Sequence, residues 1–127
     1  MQIYLVEDSA TVRERLIAML GAIPNAHIVG HAATAPDAIA GILDTQPDLV
    51  VLDMHLAEGS GFDVLRAVQP QAPGIEFHML SNFAADPYRQ LAARLGAAGF
   101  YDKSKQFNLV CDAVARRAAL QTKGEPQ

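Results

Sequence analysis

A chain of 127 residues, 50% hydrophobic and 19% charged, carries enough apolar material to close one core and too little length for two, which excludes a disordered chain and a second domain. Its net charge of -4 argues against direct contact with nucleic acid, which needs a basic face to displace counterions. No apolar run approaches a membrane span, no basic signal-like stretch precedes the first strand, and the single cysteine, Cys111, excludes an intramolecular disulfide and a multi-cysteine metal site, so a cytoplasmic location without membrane insertion is expected.

The first predicted element is a strand over residues 3–6, which ends on Glu7 and Asp8. A helix follows over 9–20, with Val12, Leu16, Met19 and Leu20 at helical spacing and Gly21 and Pro24 as stop signals. Residues 27–32 read as a second strand, less hydrophobic and therefore placed at an edge. Thr34, with Asp37 three residues on, has the pattern of a capped helix start, and Ala35, Ala38, Ile39, Ile42 and Leu43 form the buried stripe behind it. Residues 49–52 are continuously apolar, as a parallel strand covered on both faces requires, and end on Asp53. A turn over 58–61 leads into a helix with Phe62, Leu65 and Val68 inward. The strand at 77–80 ends on Ser81. Asp86 and Pro87 cap a fourth helix that ends at Gly96, and the short strand around Phe100 and Tyr101 is followed by Lys103. Ser104 starts a fifth helix with Phe107, Val110, Cys111, Val114 and Ala118 on one face. The domain is expected to span residues 1–120, with 121–127 a polar, frayed tail.

Strand and helix alternating five times implies right-handed crossovers and a parallel sheet with helices on both faces. Ligands of such sheets bind at the carboxyl ends of the strands, so Glu7, Asp8, Asp53, Ser81 and Lys103 are expected to meet in space. A carboxylate can act as a nucleophile toward phosphorus, and phosphoryl transfer asks the protein mainly for positioning and charge neutralisation. Three carboxylates together repel one another unless a divalent cation sits among them, and Mg²⁺ suits oxygen ligands of this kind. Alone, Glu7 and Asp8 read as a cap on the first helix. Asp53 is harder to set aside, because a carboxylate closing a fully apolar strand is poorly solvated without partners. Cys111 reads as core, His78 as a residue packed within its strand, His27 and His31 as lacking any ligand spacing, and Arg116 and Arg117 as a solvated helix end.

Four stretches carry a resemblance: Glu7-Asp8; Val-Val-Leu-Asp-Met-His-Leu-Ala-Glu-Gly-Ser-Gly at 50–61; Leu80-Ser81-Asn82; and Gly-Ala-Ala-Gly-Phe-Tyr-Asp-Lys at 96–103. In this order and at these strand ends they resemble the receiver domain of bacterial two-component response regulators, over nearly the whole chain. The resemblance implies a flavodoxin-like (βα)5 fold, a doubly wound five-stranded parallel sheet in the order 2-1-3-4-5. It also implies a stand-alone phospho-accepting signalling protein rather than an enzyme, limited to self-phosphorylation and slow self-dephosphorylation. Asp53 would take a phosphoryl group from the phosphohistidine of a histidine kinase or histidine phosphotransfer protein. Mg²⁺ would be held by Asp8, Glu7, Asp53 and the backbone carbonyl of His55, while Lys103 and Ser81 would meet phosphoryl oxygens. Phe100, three residues before the lysine, would be the switch aromatic, favouring its buried rotamer because it lacks a hydroxyl. The output surface would comprise the fourth helix, fifth strand and fifth helix, binding a downstream protein as a monomer or as a phosphorylation-dependent dimer.

Departures from the family pattern qualify these expectations. Ala57 replaces a proline, which implies a looser loop, and Ser104 replaces another, which makes a trans Lys103-Ser104 bond the expectation. Asn82 is large enough to narrow access to Asp53. His55 and Phe83 stand where receivers tune attack of water, and Phe83 offers no hydrogen bond to a water. Two alternatives stay open: a phosphorylation-independent interaction module with a vestigial site, and the receiver part of a longer DNA-binding regulator. A metal-dependent phosphatase fits poorly, since it needs a second acid two residues after Asp53, where His55 stands.

Overall fold

The computed structural model describes residues 1–83 and 85–124. Ten elements alternate along the chain: β1 (Gln2–Val6), α1 (Ala10–Gly21), β2 (His27–Ala32), α2 (Ala35–Thr45), β3 (Leu49–Asp53), α3 (Gly61–Val68), β4 (Glu76–Ser81), α4 (Asp86–Arg94), β5 (Gly99–Asp102) and α5 (Phe107–Gly124). The strands form one parallel sheet in the order β2-β1-β3-β4-β5, the flavodoxin-like order expected, with β2 at an edge.

Alternation along the strands divides the core in two. Tyr4, Val6, Val50, Leu52, Phe77 and Met79 face one side and pack with Ile42 of α2, Leu65 and Val68 of α3 and Ala92 of α4. Ile3, Leu5, Leu49, Val51 and Leu80 face the other and pack with Leu16 and Leu20 of α1 and Val110 and Val114 of α5. All five residues of β3 are buried, so this strand lies wholly inside the protein and delivers Asp53 at its end.

The helix starts follow local chemistry. The Ser9 hydroxyl accepts from the Val12 N–H, Thr34 accepts from Asp37, and Ser60 and Asp63 cap α3 reciprocally. In α4, Asp86 is the first helical residue rather than the cap, a position held by Ala85, and Gly96 beyond the helix takes a left-handed φ of 100°. Helix α5 begins at Phe107 instead of Ser104. The cause is Asp102, whose Oδ1 accepts from the Ser104 N–H at 2.9 Å, the Ser104 hydroxyl at 2.7 Å and the Lys105 N–H at 3.2 Å. That turn competes with helix for the same backbone donors. The backbone remains helical to Gly124, so the polar tail expected from residue 121 begins inside α5, and its last three residues lie outside the described ones.

One strip departs from the apolar rule for an interior strand. On its α5 side β4 carries Glu76 and His78; His78 is buried, with Nδ1 3.1 Å from the Tyr101 hydroxyl and Nε2 3.4 Å from Glu76 Oε1.

Candidate functional site

The carboxyl ends of β1, β3, β4 and β5 bring Glu7, Asp8, Asp53, Ser81 and Lys103 to one edge of the sheet, as the alternation requires. Glu7, Asp8 and Asp53 each place a carboxylate oxygen within 4.8 Å of the others; Glu7 and Asp53 are buried and Asp8 is exposed. Lys103 reaches across from the β5–α5 loop, its Nζ 2.6 Å from Glu7 Oε1 and 2.9 Å from Asp53 Oδ2. A backbone bond from the Lys103 N–H to the Ser81 carbonyl fixes the root of that side chain. The cation therefore bridges the two buried acids.

Glu7 sits at the start of α1, as the sequence suggests, and also pairs with Lys103. Its Oε2 accepts from the Ser9 N–H at 3.0 Å, at the cap of α1, while Oε1 turns inward to Lys103. Burial pushes its carboxyl up to about 7, with the Asp53 charge adding to the rise, against the pull of hydrogen bonds from Lys103 and the Ser9 N–H. Burial also works to lower the Lys103 ammonium, but the hydrogen bonds to Glu7 and Asp53 outweigh it and hold it above its ordinary value.

Ser81 is fully buried, and its hydroxyl does not touch Asp53. It accepts from the Phe83 N–H at 2.9 Å and donates to the Met54 sulfur at 3.7 Å, a weak acceptor that is easily given up. Met54 has no polar motif around it to mark this role in sequence. His55 donates its N–H to Asp53 Oδ1 at 3.3 Å, and its ring packs edge-on against Phe83 with centroids 5.0 Å apart. Asn82 is exposed at the rim.

Phe100 is half-buried against the α4-side core, short of full burial. Arg89 of α4 lies over its ring at 5.2 Å, donates to the Phe100 carbonyl at 2.9 Å and reaches Gln106 Oε1 at 3.3 Å. Gln106 Oε1 also accepts from the Asp102 N–H at 2.8 Å, one residue from Lys103. Neither Arg89 nor Gln106 stands out in sequence, because each reads as an ordinary polar residue on a helix or loop.

The β3–α3 loop is tied down despite Ala57. Its N–H donates to the Ala33 carbonyl at 3.1 Å, a bond that a proline lacks, and the Ala35 N–H returns one to Glu58 at 2.8 Å. The Lys103-Ser104 bond is trans, as expected. Gly61 lets α3 start against Asp53: a Cβ there runs into the Asp53 carbonyl and lies 2.7 Å from the Met79 methyl. Gly61→Ala is expected to lower the unfolding free energy by about 1–3 kcal/mol in urea titrations, as overpacking against a fixed backbone does.

Two buried groups pull the pH dependence of stability in opposite directions. Burial depresses the His78 imidazole, against the Glu76 carboxylate that favours its charged form, so below about pH 6.5 the unfolded chain binds a proton that the fold resists. Stability from His78 is present above that pH and lost below it. Glu7, raised in the fold, contributes the reverse slope over the same range. The urea midpoint of the wild type is therefore expected to fall relative to His78→Gln between about pH 7 and about pH 5, and a constant difference contradicts the assignment.

Fold and site together define a parallel α/β domain with an acidic, lysine-bridged pocket at its strand ends. The family model for the response regulator receiver domain matches residues 3–115, and the chain belongs to that family, the receivers of two-component systems. It is 31% identical over 102 residues to the DNA-binding transcriptional activator DevR/DosR of Mycobacterium tuberculosis, covering 80% of this chain and 47% of that protein. It is 31% identical over 102 residues to protein-glutamate methylesterase/protein-glutamine glutaminase 3 of Geobacter sulfurreducens, covering 80% of this chain and 27% of that one. The chain thus spans less than half the length of these relatives. Among solved structures, a LuxR-family two-component response regulator from Aurantimonas superposes with a TM-score of 0.85 at 25% identity, over 93% of this chain and 84% of that one. The response regulator domain of Thermotoga maritima CheB gives 0.82 at 22% identity, over 99% and 98%, a likeness of fold. No described helix is long and apolar enough to cross a membrane.

Proposed function

We propose that this receiver is a phosphorylation-driven switch in which the Asp53 carboxylate attacks the phosphorus of a phosphohistidine presented by a histidine kinase or histidine phosphotransfer protein. The phosphorus–nitrogen bond breaks as the aspartyl phosphate forms, and histidine leaves as imidazole. The observation that carries the reading is Lys103, whose ammonium spans Asp53 and Glu7 at 2.9 and 2.6 Å over a buried acceptor. A buried carboxylate with a cation already on one oxygen is oriented for attack and has charge compensation in place for the incoming group.

The three carboxylates, Asp8 exposed and Glu7 and Asp53 buried, form a hard oxygen donor set that fits Mg²⁺ and would hold it, with the His55 carbonyl, which the family resemblance implies, as a further ligand. Bound there, Mg²⁺ supplies charge neutralisation to phosphoryl oxygens. On phosphorylation Lys103 would turn from Glu7 toward the phosphoryl group, and Ser81 would exchange the Met54 sulfur for a phosphoryl oxygen, a stronger acceptor. The Ser81 shift and the Lys103 loop bear on β5, where Gln106 and Arg89 connect Asp102 to Phe100 and α4. The output is a change in the α4–β5–α5 face, read by a downstream protein or a second copy.

Incubation with a small phosphodonor, followed by intact mass, tests the reading. A single phosphoryl addition that requires Mg²⁺ and vanishes with chelator is expected; no addition together with failure to form a beryllofluoride complex overturns it in favour of a constitutive interaction module. The His55–Phe83 pair beside Asp53 offers water no well-placed acceptor on the Phe83 side, so the acyl phosphate is expected to outlast a half-life of seconds in Mg²⁺ alone. A second reading, the receiver of a longer DNA-binding regulator, is favoured by the name and greater length of the Mycobacterium relative. A helix-turn-helix encoded in the same reading frame decides it.

A further inference from the structure

Toward the amino ends of β4 and β5, away from Asp53, a cleft of about 280 Å³ opens between the sheet and α5, lined by Glu76, His78, Tyr101, Arg116, Arg117 and Leu120, with Ala98 and Ala113 in its walls. We propose that this cleft is a binding site for a small monoanionic carboxylate with an apolar body. Its volume falls just below the range of about 300–1,000 Å³ usual for small-molecule sites.

The cleft is built by specific residue choices. β4 lies between β3 and β5, where both faces of a strand are normally apolar, yet Glu76 and His78 occupy its α5 side. Room comes from small residues. A Cβ on Gly99 would lie 2.5 Å from the Tyr101 hydroxyl oxygen, so only glycine lets that ring fold back along β5 to stack on His78, with centroids 5.8 Å apart.

The polar groups sort into spent and unspent. Glu76 Oε2 meets Arg117 Nε at 3.1 Å as an ion pair, and Tyr101 meets His78 Nδ1 at 3.1 Å. His78 Nε2 is buried without a hydrogen-bond partner; at 3.4 Å its approach to Glu76 is electrostatic only. With the Tyr101 hydroxyl donating to Nδ1, the neutral ring carries its proton on Nε2, facing the Glu76 carboxylate. Arg116 is exposed at the rim and makes no ion pair among the described residues. Two guanidinium groups against one carboxylate leave a single positive charge, matched by a monoanion. Ala98, Ala113 and Leu120, the last 65% exposed, supply apolar surface for the rest of the molecule. Nothing in this site is shared with the phospho-acceptor.

The test is an amide-resolved NMR titration of the whole protein with sodium benzoate at ionic strength held constant with sodium chloride. Saturable shifts are expected at Ala98, Tyr101, Ala113 and Arg116, with none at Glu7 or Asp53 and none with neutral benzamide. Arg116→Gln, a change at an exposed position, is expected to weaken benzoate binding about tenfold by removing one charge-assisted contact. Ala113→Leu, which fills the cleft, is expected to abolish it. Shifts that rise without saturating, equal shifts from benzamide, or unchanged affinity in Arg116→Gln overturn the proposal. Tighter binding of N-acetyl-glutamate amide than of benzoate overturns the assignment to a free small molecule, since it places a protein's acidic side chain in the cleft instead.

Discussion

Asp53→Asn is expected to take up no phosphoryl group under conditions that convert the wild type, a fall in rate of at least about a hundredfold by intact mass. The amide keeps the shape of the carboxylate but has no electron pair of comparable nucleophilicity and no charge to hold Lys103 at 2.9 Å. Lys103 retains Glu7, so the variant keeps one of its two ion pairs and its fold. Phosphoryl addition to the variant at the wild-type rate moves the nucleophile elsewhere.

Lys103→Met is expected to have the largest effect on stability, and an effect that depends on divalent cation. The ammonium is 11% exposed and is the shared partner of two buried carboxylates; without it Glu7, Asp8 and Asp53 keep oxygens within 4.8 Å of one another with no positive charge between them. Breaking a buried ion pair from one side costs about 3–5 kcal/mol, and protonation of Glu7, already raised to about 7, offsets part of that. Thermal unfolding in chelator is therefore expected to shift down by several degrees. Mg²⁺ is expected to stabilise the variant more than the wild type, because the cation no longer displaces Lys103 from Glu7. An equal Mg²⁺ shift in both proteins contradicts that competition.

The fold was legible because its periods were. Fully apolar β3, helical stripes such as Ala35-Ala38-Ile42, and a polar residue at each strand end specify a parallel sheet without knowledge of any contact. The strand order came with the family resemblance rather than from the pattern. At the site, Glu7, Asp8, Asp53 and Lys103 were recognisable by position, and the coordinates bring them together. The partners that hold them were not. Met54 as acceptor for Ser81, Gln106 as the hinge between Asp102 and Arg89, and Ala57 as a donor to Ala33 depend on where loops cross, which no local period encodes. The same limit explains the misplaced start of α5. A serine reads as a cap until Asp102 claims its N–H and its hydroxyl.

The paired bonds between Ala57 and Ala33 and between Ala35 and Glu58 have a mechanical meaning. They sew the loop after β3 to the loop before α2, and Gly61 seats α3 on the Asp53 backbone, so that flank of the pocket is tied to the core. On the opposite flank α4 buries one described side chain completely, Ala92, and adds half-buried Leu91, the Tyr88 ring stacked on Phe62 and the Arg89 bonds to Phe100 and Gln106. A change at Asp53 is therefore expected to be taken up mainly on the α4 side. In deuterium exchange of the unmodified protein this asymmetry is expected to appear as long-lived amides at Ala35 and Ala57 and earlier labelling across α4.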